Sequence, residues 1–201
     1  MISNLREPVQ PILKVVATPF MWISPNFITW LGVLPATLFV WAMYENAYFL
    51  ALLTFVLTPV DMLDGYVART KGIESEYGAF LDSTVDRIVD LMYTAGFAVA
   101  GLVSWPYVYV LGSVGLLISY IRSRAELADK TNEKHAVGIM QRPERIFLFG
   151  LATFGQLIFP DFDIEVFGYE CGIVHIILTT ILVFSIITIY QRLVYAYEKL
   201  D

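Results

Sequence analysis

Long apolar runs set the pattern of this chain, in place of the strict alternation of a surface strand or the one-sided stripe of a soluble helix. Six runs stand out, at about residues 27–44, 47–69, 78–103, 107–128, 143–159 and 172–195, each near the ~20 residues that carry a helix across a hydrocarbon core. The expected fold is an all-α integral membrane protein with six transmembrane helices. Residues 24–201 form one bundle domain, and residues 1–23 precede it as an interfacial segment. Within that segment Leu5, Val9, Ile12, Leu13 and Val16 recur at roughly helical spacing, before Ser24-Pro25-Asn26 starts the first span. Glu7, Pro8, Pro11 and Lys14 interrupt it, so it does not read as a secretory signal. Trp22, Trp30, Trp41, Tyr44, Tyr48, Trp105, Tyr107 and Tyr195 fall near the predicted span ends, where an aromatic belt belongs.

Composition agrees with the pattern. The chain has 201 residues, is 57% hydrophobic and only 16% charged, and has a mean hydropathy of +0.64, far from the balance of a soluble domain. Its one cysteine, Cys171, excludes an internal disulfide. The net charge of −6 says little about a partner, because the charges are sorted by side. In the six-span layout all 13 basic residues lie on one face. They are Arg6, Lys14, Arg69, Lys71, Arg87, Arg122, Arg124, Lys130, Lys134, Arg142, Arg145, Arg192 and Lys199. The opposite loops carry Glu45, Asp161, Asp163, Glu165 and Glu170. By the positive-inside rule both termini are cytoplasmic. The expected location is the cell membrane, multi-pass, with the site toward the cytoplasm and no nucleic-acid partner.

Four acids break the apolar pattern. Asp61, Asp64, Asp82 and Asp86 fall within 26 residues, in runs that should be apolar throughout. An ionisable group in the hydrocarbon region is costly, so one that persists lines a polar cavity and functions there. Taking Arg69 and Gly78 as cytoplasmic ends, and a rise of about 1.5 Å per residue, Asp64 and Asp82 lie about 6–8 Å deep and Asp61 and Asp86 about 12 Å. Spacings of three and four residues put each pair on one helix face. Two facing pairs make an oxygen-only cage suited to a hard cation, Mg²⁺ or Mn²⁺. Neutralisation by Arg69 and Arg87 is the alternative without metal. Asp90 extends the row to about 18 Å as a buried hydrogen-bonding acid rather than a ligand. Gly65, Ala68 and Gly78 permit close helix packing; they could equally admit a flat ring and a pyrophosphate, with Arg69 as a phosphate clamp.

The spacing D-x2-D-G-x2-A-R-x8-G-x3-D-x3-D, from Asp61 to Asp86, resembles the signature of the CDP-alcohol phosphotransferase family and matches it at every fixed position. Ser24-Pro25-Asn26-x2-Thr29 is similar to the family's usual start, and the resemblance covers the whole six-span layout. It implies transfer of a lipid-linked phosphate from a CDP-activated donor to an alcohol, with release of CMP. It further implies that Asp61, Asp64, Asp82 and Asp86 surround two divalent ions. Gly65, Ala68, Arg69 and Gly78 would contact the CDP part together with Asp64 and Asp82, and Asp86 would be the general base. Members resembling this chain are dimers, so a homodimer is expected.

The acceptor is read elsewhere. Ser119-Tyr120-Ile121-Arg122-Ser123-Arg124-Ala125-Glu126 and Gly138-Ile139-Met140-Gln141-Arg142-Pro143-Glu144-Arg145 place four arginines at predicted cytoplasmic helix ends, with Arg192 near a third. Such flanks are ordinary topology signals. Yet Arg122 and Arg124 lie within the span's end, and Arg suits bidentate phosphate recognition. These segments resemble those of the phosphatidylinositol-phosphate and archaetidylinositol-phosphate synthases, which implies inositol 1-phosphate as acceptor. Arg122, Arg142 and Arg192 would bind its phosphate, supported by Arg124 and Arg145. Glycerol 3-phosphate is the alternative acceptor. A divalent-cation transporter is a remote third reading, because acids clustered toward one face beside arginines make a poor cation path. Activity should need Mg²⁺ or Mn²⁺, and Asp61→Asn or Asp82→Asn should abolish CMP release. Full turnover in excess EDTA would sink the cage.

Overall fold

The computed structural model describes residues 16–58, 61–129, 137–166 and 169–200, without the side chains of Asp61, Met62, Val166 and Tyr169. The expectations for Leu5, Val9, Ile12, Leu13, Lys130 and Lys134 fall outside those residues. A 3₁₀ turn, Thr18–Trp22, leads into α1 (Pro25–Leu31), α2 (Val33–Tyr44), α3 (Tyr48–Leu57), α4 (Asp61–Lys71), α5 (Glu76–Val99), α6 (Trp105–Ala128) and α7 (Arg142–Ile158). Two short strands, β1 (Asp163–Val166) and β2 (Tyr169–Gly172), precede α8 (Ile173–Leu200). The chain divides into two compact units, Met1–Gly96 and Phe97–Asp201.

The fold is helical, as expected, with two departures. The run at 47–69 is not one helix: α3 stops at Leu57 and α4 starts at Asp61. In the sequence Pro59 falls between them and has no N–H to donate to a continuing helix. The second departure is a hairpin in the acidic loop before α8. Its strands pair antiparallel with Ile164 opposite Cys171 and Glu165 opposite Glu170. Elsewhere the helices start and stop within a few residues of the expected bounds. The first run is nearly continuous, since Gly32 between α1 and α2 keeps helical dihedrals (φ −60, ψ −20).

Among the described residues, two stretches are long and apolar enough to cross a membrane. They are Pro25–Tyr44, with mean hydropathy 1.6, and Ile173–Leu200, with 2.4. The aspartates and arginines lower the hydropathy of the other long helices. Trp22, Trp30, Trp41, Tyr44 and Trp105 are all exposed, Trp22 at 95%, which suits residues placed to meet an interface.

In the first unit Ala17, Ile28, Leu63 and Val67 are buried together, with Phe20, Met21, Ile23 and Tyr66 against them. This packing ties the 3₁₀ turn and α1 to α4. A second cluster joins α2, α3 and α5. Phe39 meets Phe55 at 5.3 Å and Tyr93 at 4.9 Å, both edge to face, and Phe55 stacks on Tyr93 at 4.8 Å. The Tyr93 hydroxyl reaches Thr58 Oγ1 at 2.9 Å, so the ring's polar end is satisfied. Gly96 admits Phe39: a Cβ there would collide with Phe39 Cε1 and sit 2.9 Å from Cδ1. In the second unit α6 and α7 both pack on α8, and Tyr107 bridges α6 to α8 through Thr179 at 3.0 Å.

Gly96→Ala should therefore destabilise the protein by about 1–3 kcal/mol, the usual cost of overpacking. Gly115→Ala, where a Cβ meets nothing within 4 Å, should be neutral or stabilising by up to about 1 kcal/mol, because alanine is the better helix former. Thermal unfolding in one detergent compares the two; equal Tm values would contradict the packing account.

Candidate active site

The first turns of α4 decide where its carboxylates go. Asp61 opens the helix, where the partial positive charge of the helix start favours an acid. Leu63 and Val67 pack inward, and Asp64, between them on that face, is carried in with them to 7% exposure. A buried carboxylate needs donors. Thr29 of α1 supplies one, with Oγ1 donating to Asp64 Oδ2 at 2.5 Å, and the Gly65 amide supplies another to Oδ1 at 2.5 Å. Thr29 Oγ1 also lies 3.1 Å from the Pro25 carbonyl. Gly65 leaves room for the Arg69 side chain, whose Nη1 lies 3.3 Å from where a Cβ would stand. Ala68 is half-buried and Arg69 exposed. Lys71 Nζ donates to the Ile23 carbonyl at 3.0 Å, closing α4 onto the turn before α1.

A four-residue link, 72–75, then starts α5. Gly72 (φ +65) ends α4 in the left-handed conformation that glycine adopts without strain. Ser75 caps α5, accepting the Gly78 amide at 3.0 Å. Asn26 of α1 comes close as well, its Oδ1 3.6 Å from a Cβ built on Gly78. Leu81, Val85, Val89 and Tyr93 form the buried stripe of α5. Asp82, Asp86 and Asp90 follow each of the first three by one residue and are half-buried, so the acid row borders the packed face. The Arg87 guanidinium turns back on its own helix, donating from Nη1 to the Ser83 carbonyl.

Among the described residues, no three His, Cys, Asp or Glu side chains gather as a metal cluster; the Asp61 side chain is not among them. The donor chemistry fits a hard divalent cation, since all four acids offer carboxylate oxygen only. Asp64 also arrives oriented by two donors. The residue types therefore fit the group that the sequence implies.

The second unit carries the five arginines. Arg122 pairs with Glu126 one turn on, Nε to Oε1 at 2.9 Å. Arg124 is exposed. Arg142 and Arg145 stand in the first turns of α7, and Arg145 is 5% exposed. Pro143 falls in the first turn of that helix, where a missing N–H costs nothing. Cations oppose the dipole at a helix start, and Glu144 in the same turn offsets one of the two. Arg192 is 6% exposed and donates to two backbone carbonyls, from Nε to Val137 at 2.8 Å and from Nη1 to Ile118 at 2.5 Å. It lies within electrostatic range of Arg122, Arg145 and Glu126. Arg192 thus feels both Arg122 and Arg145, and it also serves as a clamp between backbone segments.

Three of these partners were not read from the sequence. Glu126 had a visible signal, the i, i+4 spacing from Arg122. Thr29 was visible only as part of a motif. The clamp of Arg192 on residues 118 and 137 had no local signal.

Comparison with known proteins identifies the family. The family model described as CDP-alcohol phosphatidyltransferase matches residues 22–193. The chain is 35% identical to the archaetidylinositol phosphate synthase of Pyrococcus horikoshii, covering 76% of this chain and 82% of that one. It is 30% identical to the phosphatidylinositol phosphate synthase of Corynebacterium glutamicum, covering 95% and 86%. Two crystal structures of the phosphatidylinositol phosphate synthase of Mycobacterium tuberculosis share the fold. The one with CDP-DAG bound has TM-score 0.75 at 23% identity, over 93% of this chain and 94% of that. The complex with manganese and citrate has TM-score 0.68 at 24% identity, over 93% and 88%. An eight-residue signature matched at every position, on a chain that the family model spans almost from end to end, leads to one assignment: the chain belongs to the CDP-alcohol phosphatidyltransferase family.

Proposed function

We propose that this protein is a six-span membrane enzyme of phospholipid synthesis. It transfers the lipid phosphate of CDP-diacylglycerol or CDP-archaeol to inositol 1-phosphate and releases CMP. The family supports the reaction class and leaves the transporter reading without support. The names of the Pyrococcus and Corynebacterium relatives support the acceptor. The observation that carries it is the start of α7, where Arg142 and Arg145 outnumber Glu144 against the helix dipole and Arg145 lies within electrostatic range of Arg192. A site for an uncharged alcohol has no use for that arrangement. The six-span layout has its support in the one-sided basic residues and in α5 and α6, which at 24 residues each are about 36 Å long. Cytoplasmic termini and an assembly of two copies are part of the same reading.

In this mechanism Asp61, Asp64, Asp82 and Asp86 would hold two divalent ions. When bound, Mg²⁺ or Mn²⁺ neutralises the pyrophosphate and the departing CMP. The manganese complex of the Mycobacterium tuberculosis enzyme supports that choice. Gly65, Ala68 and Gly78 leave space for the cytidine and pyrophosphate, with Asp64 and Asp82 beside them. Arg69, at the end of α4, clamps a donor phosphate. Asp86 takes the proton from the acceptor hydroxyl, whose oxygen bonds to the lipid-side phosphorus as the bond to CMP breaks. Arg122, Arg142 and Arg192 grip the acceptor phosphate, with Arg124 and Arg145 adding to the field.

Base and ligand roles separate kinetically. Asp86→Asn should lose kcat while keeping donor binding better than Asp64→Asn does; equal loss of donor affinity would make Asp86 only a ligand. The acceptor test is a panel of alcohols scored by CMP release. Losing one charge-assisted contact costs about 1.5–3 kcal/mol, so Arg142→Ala should raise KM for inositol 1-phosphate by roughly ten- to hundredfold. KM for CDP-lipid should barely change, whereas Arg69→Ala should damage donor binding instead. Free inositol should be a poor acceptor. If it reacts as well as its phosphate, the inositol-phosphate assignment fails. A preference for glycerol 3-phosphate would replace the acceptor and leave the mechanism intact.

A further inference from the structure

Residues 137–141 form a strap laid along α8, and three α8 side chains within about one turn hold it. Arg192 Nε donates to the Val137 carbonyl at 2.8 Å. Gln191 Oε1 accepts the Ile139 amide at 3.3 Å. Thr188 Oγ1 accepts the Met140 amide at 2.9 Å and donates its own proton to the Phe184 carbonyl at 2.9 Å. Positions 188, 191 and 192 share one helix face. Gly138 makes the approach feasible. Its φ of +119 is one that side chains rarely adopt, and a Cβ there would run into Thr188 Cγ2. Within the strap Gln141 Nε2 donates to the Gly138 carbonyl at 3.2 Å.

The strap ends where α7 begins. Met140 lies two residues before Arg142, a reach of about 7 Å at most, so whatever fixes the Met140 amide fixes the start of the helix that presents Arg142 and Arg145. The Thr188 bond is the buried one, with Thr188 fully buried and Met140 4% exposed. An amide left without its acceptor there cannot turn to water, and the backbone must move to relieve it.

We propose that Thr188 is a positioning residue for acceptor binding. Its hydroxyl, by taking the Met140 amide, sets the strap and so sets where the two α7 arginines stand. The proposal rests on the reading of those arginines as the acceptor's phosphate site.

Thr188→Val keeps the methyl that meets Gly138 and removes the acceptor; Thr188→Ser does the reverse. In the purified full-length enzyme, Thr188→Val should raise KM for inositol 1-phosphate about five- to tenfold, as expected for a buried amide left unpaired. Turnover at saturating acceptor and KM for CDP-lipid should change less than about twofold, and Thr188→Ser should stay close to the parent by the same argument. Hydrogen exchange of the strap amides, read in parallel, should quicken in Thr188→Val only. Should that variant not fold, Thr188→Ala, which removes the same buried acceptor without adding a second methyl, should show the same selective rise in acceptor KM. An unchanged acceptor KM with quickened exchange overturns the proposal, as does an equal rise in donor KM. Arg142→Ala separates the two failures. If it raises acceptor KM and Thr188→Val does not, only the positioning role falls. If it changes nothing, the acceptor reading falls and the positioning role with it.

Discussion

A carboxylate removed from water has to be met by hydrogen-bond donors, and much of the first unit is arranged around how Asp64 is met. The Thr29 hydroxyl can reach it only because α1 lies against α4, and α1 lies there because Ile28 is buried with Ala17, Leu63 and Val67. The apolar cluster and the polar contact are therefore two sides of one packing event. Leu63 and Val67 carry Asp64 inward, and the helix that covers them brings its donor. Gly65 belongs to the same arrangement: its amide donates to the acid, and a side chain there would crowd the Arg69 guanidinium.

The second unit solves the converse problem. A buried guanidinium has five N–H groups and no acceptor of its own, and Arg192 finds acceptors in the carbonyls of Ile118 and Val137. This draws α6, the strap and α8 together around one cation. That cation has other arginines for neighbours, and like charges in a confined space repel. The salt bridge from Arg122 to Glu126 offsets part of that repulsion.

Much of this was legible in the sequence because the signals are local. Apolar runs of fixed length gave the helices, and the three- and four-residue spacings gave one face to each aspartate pair. Pro59 was equally visible, yet the run of apolar residues around it outweighed it in the reading of a single span, whereas in the folded chain α3 has ended before it is reached. The hairpin at Asp163–Gly172 was hidden for another reason. Its acidic and aromatic residues look like an ordinary exposed loop, and strand pairing depends on register rather than composition. The contacts of Thr29 with Asp64, of Asn26 with Gly78 and of Thr188 with Met140 join residues 35 to 52 positions apart. No periodicity encodes such distances; they emerge only from how helices pack.

The four-residue link between α4 and α5 has a consequence for how the chain acquires its structure. All four aspartates lie within 26 consecutive residues, and closing so short a segment costs little chain entropy. The helix that supplies Thr29 precedes them closely. The acid-bearing unit can therefore assemble from neighbouring stretches as soon as its residues leave the ribosome. The arginine group must wait for Arg192, 70 residues after Arg122, and a loop of that length closes late. Synthesis thus delivers the acid row well before the arginine group is complete, and a chain interrupted midway would hold the carboxylates without those cations.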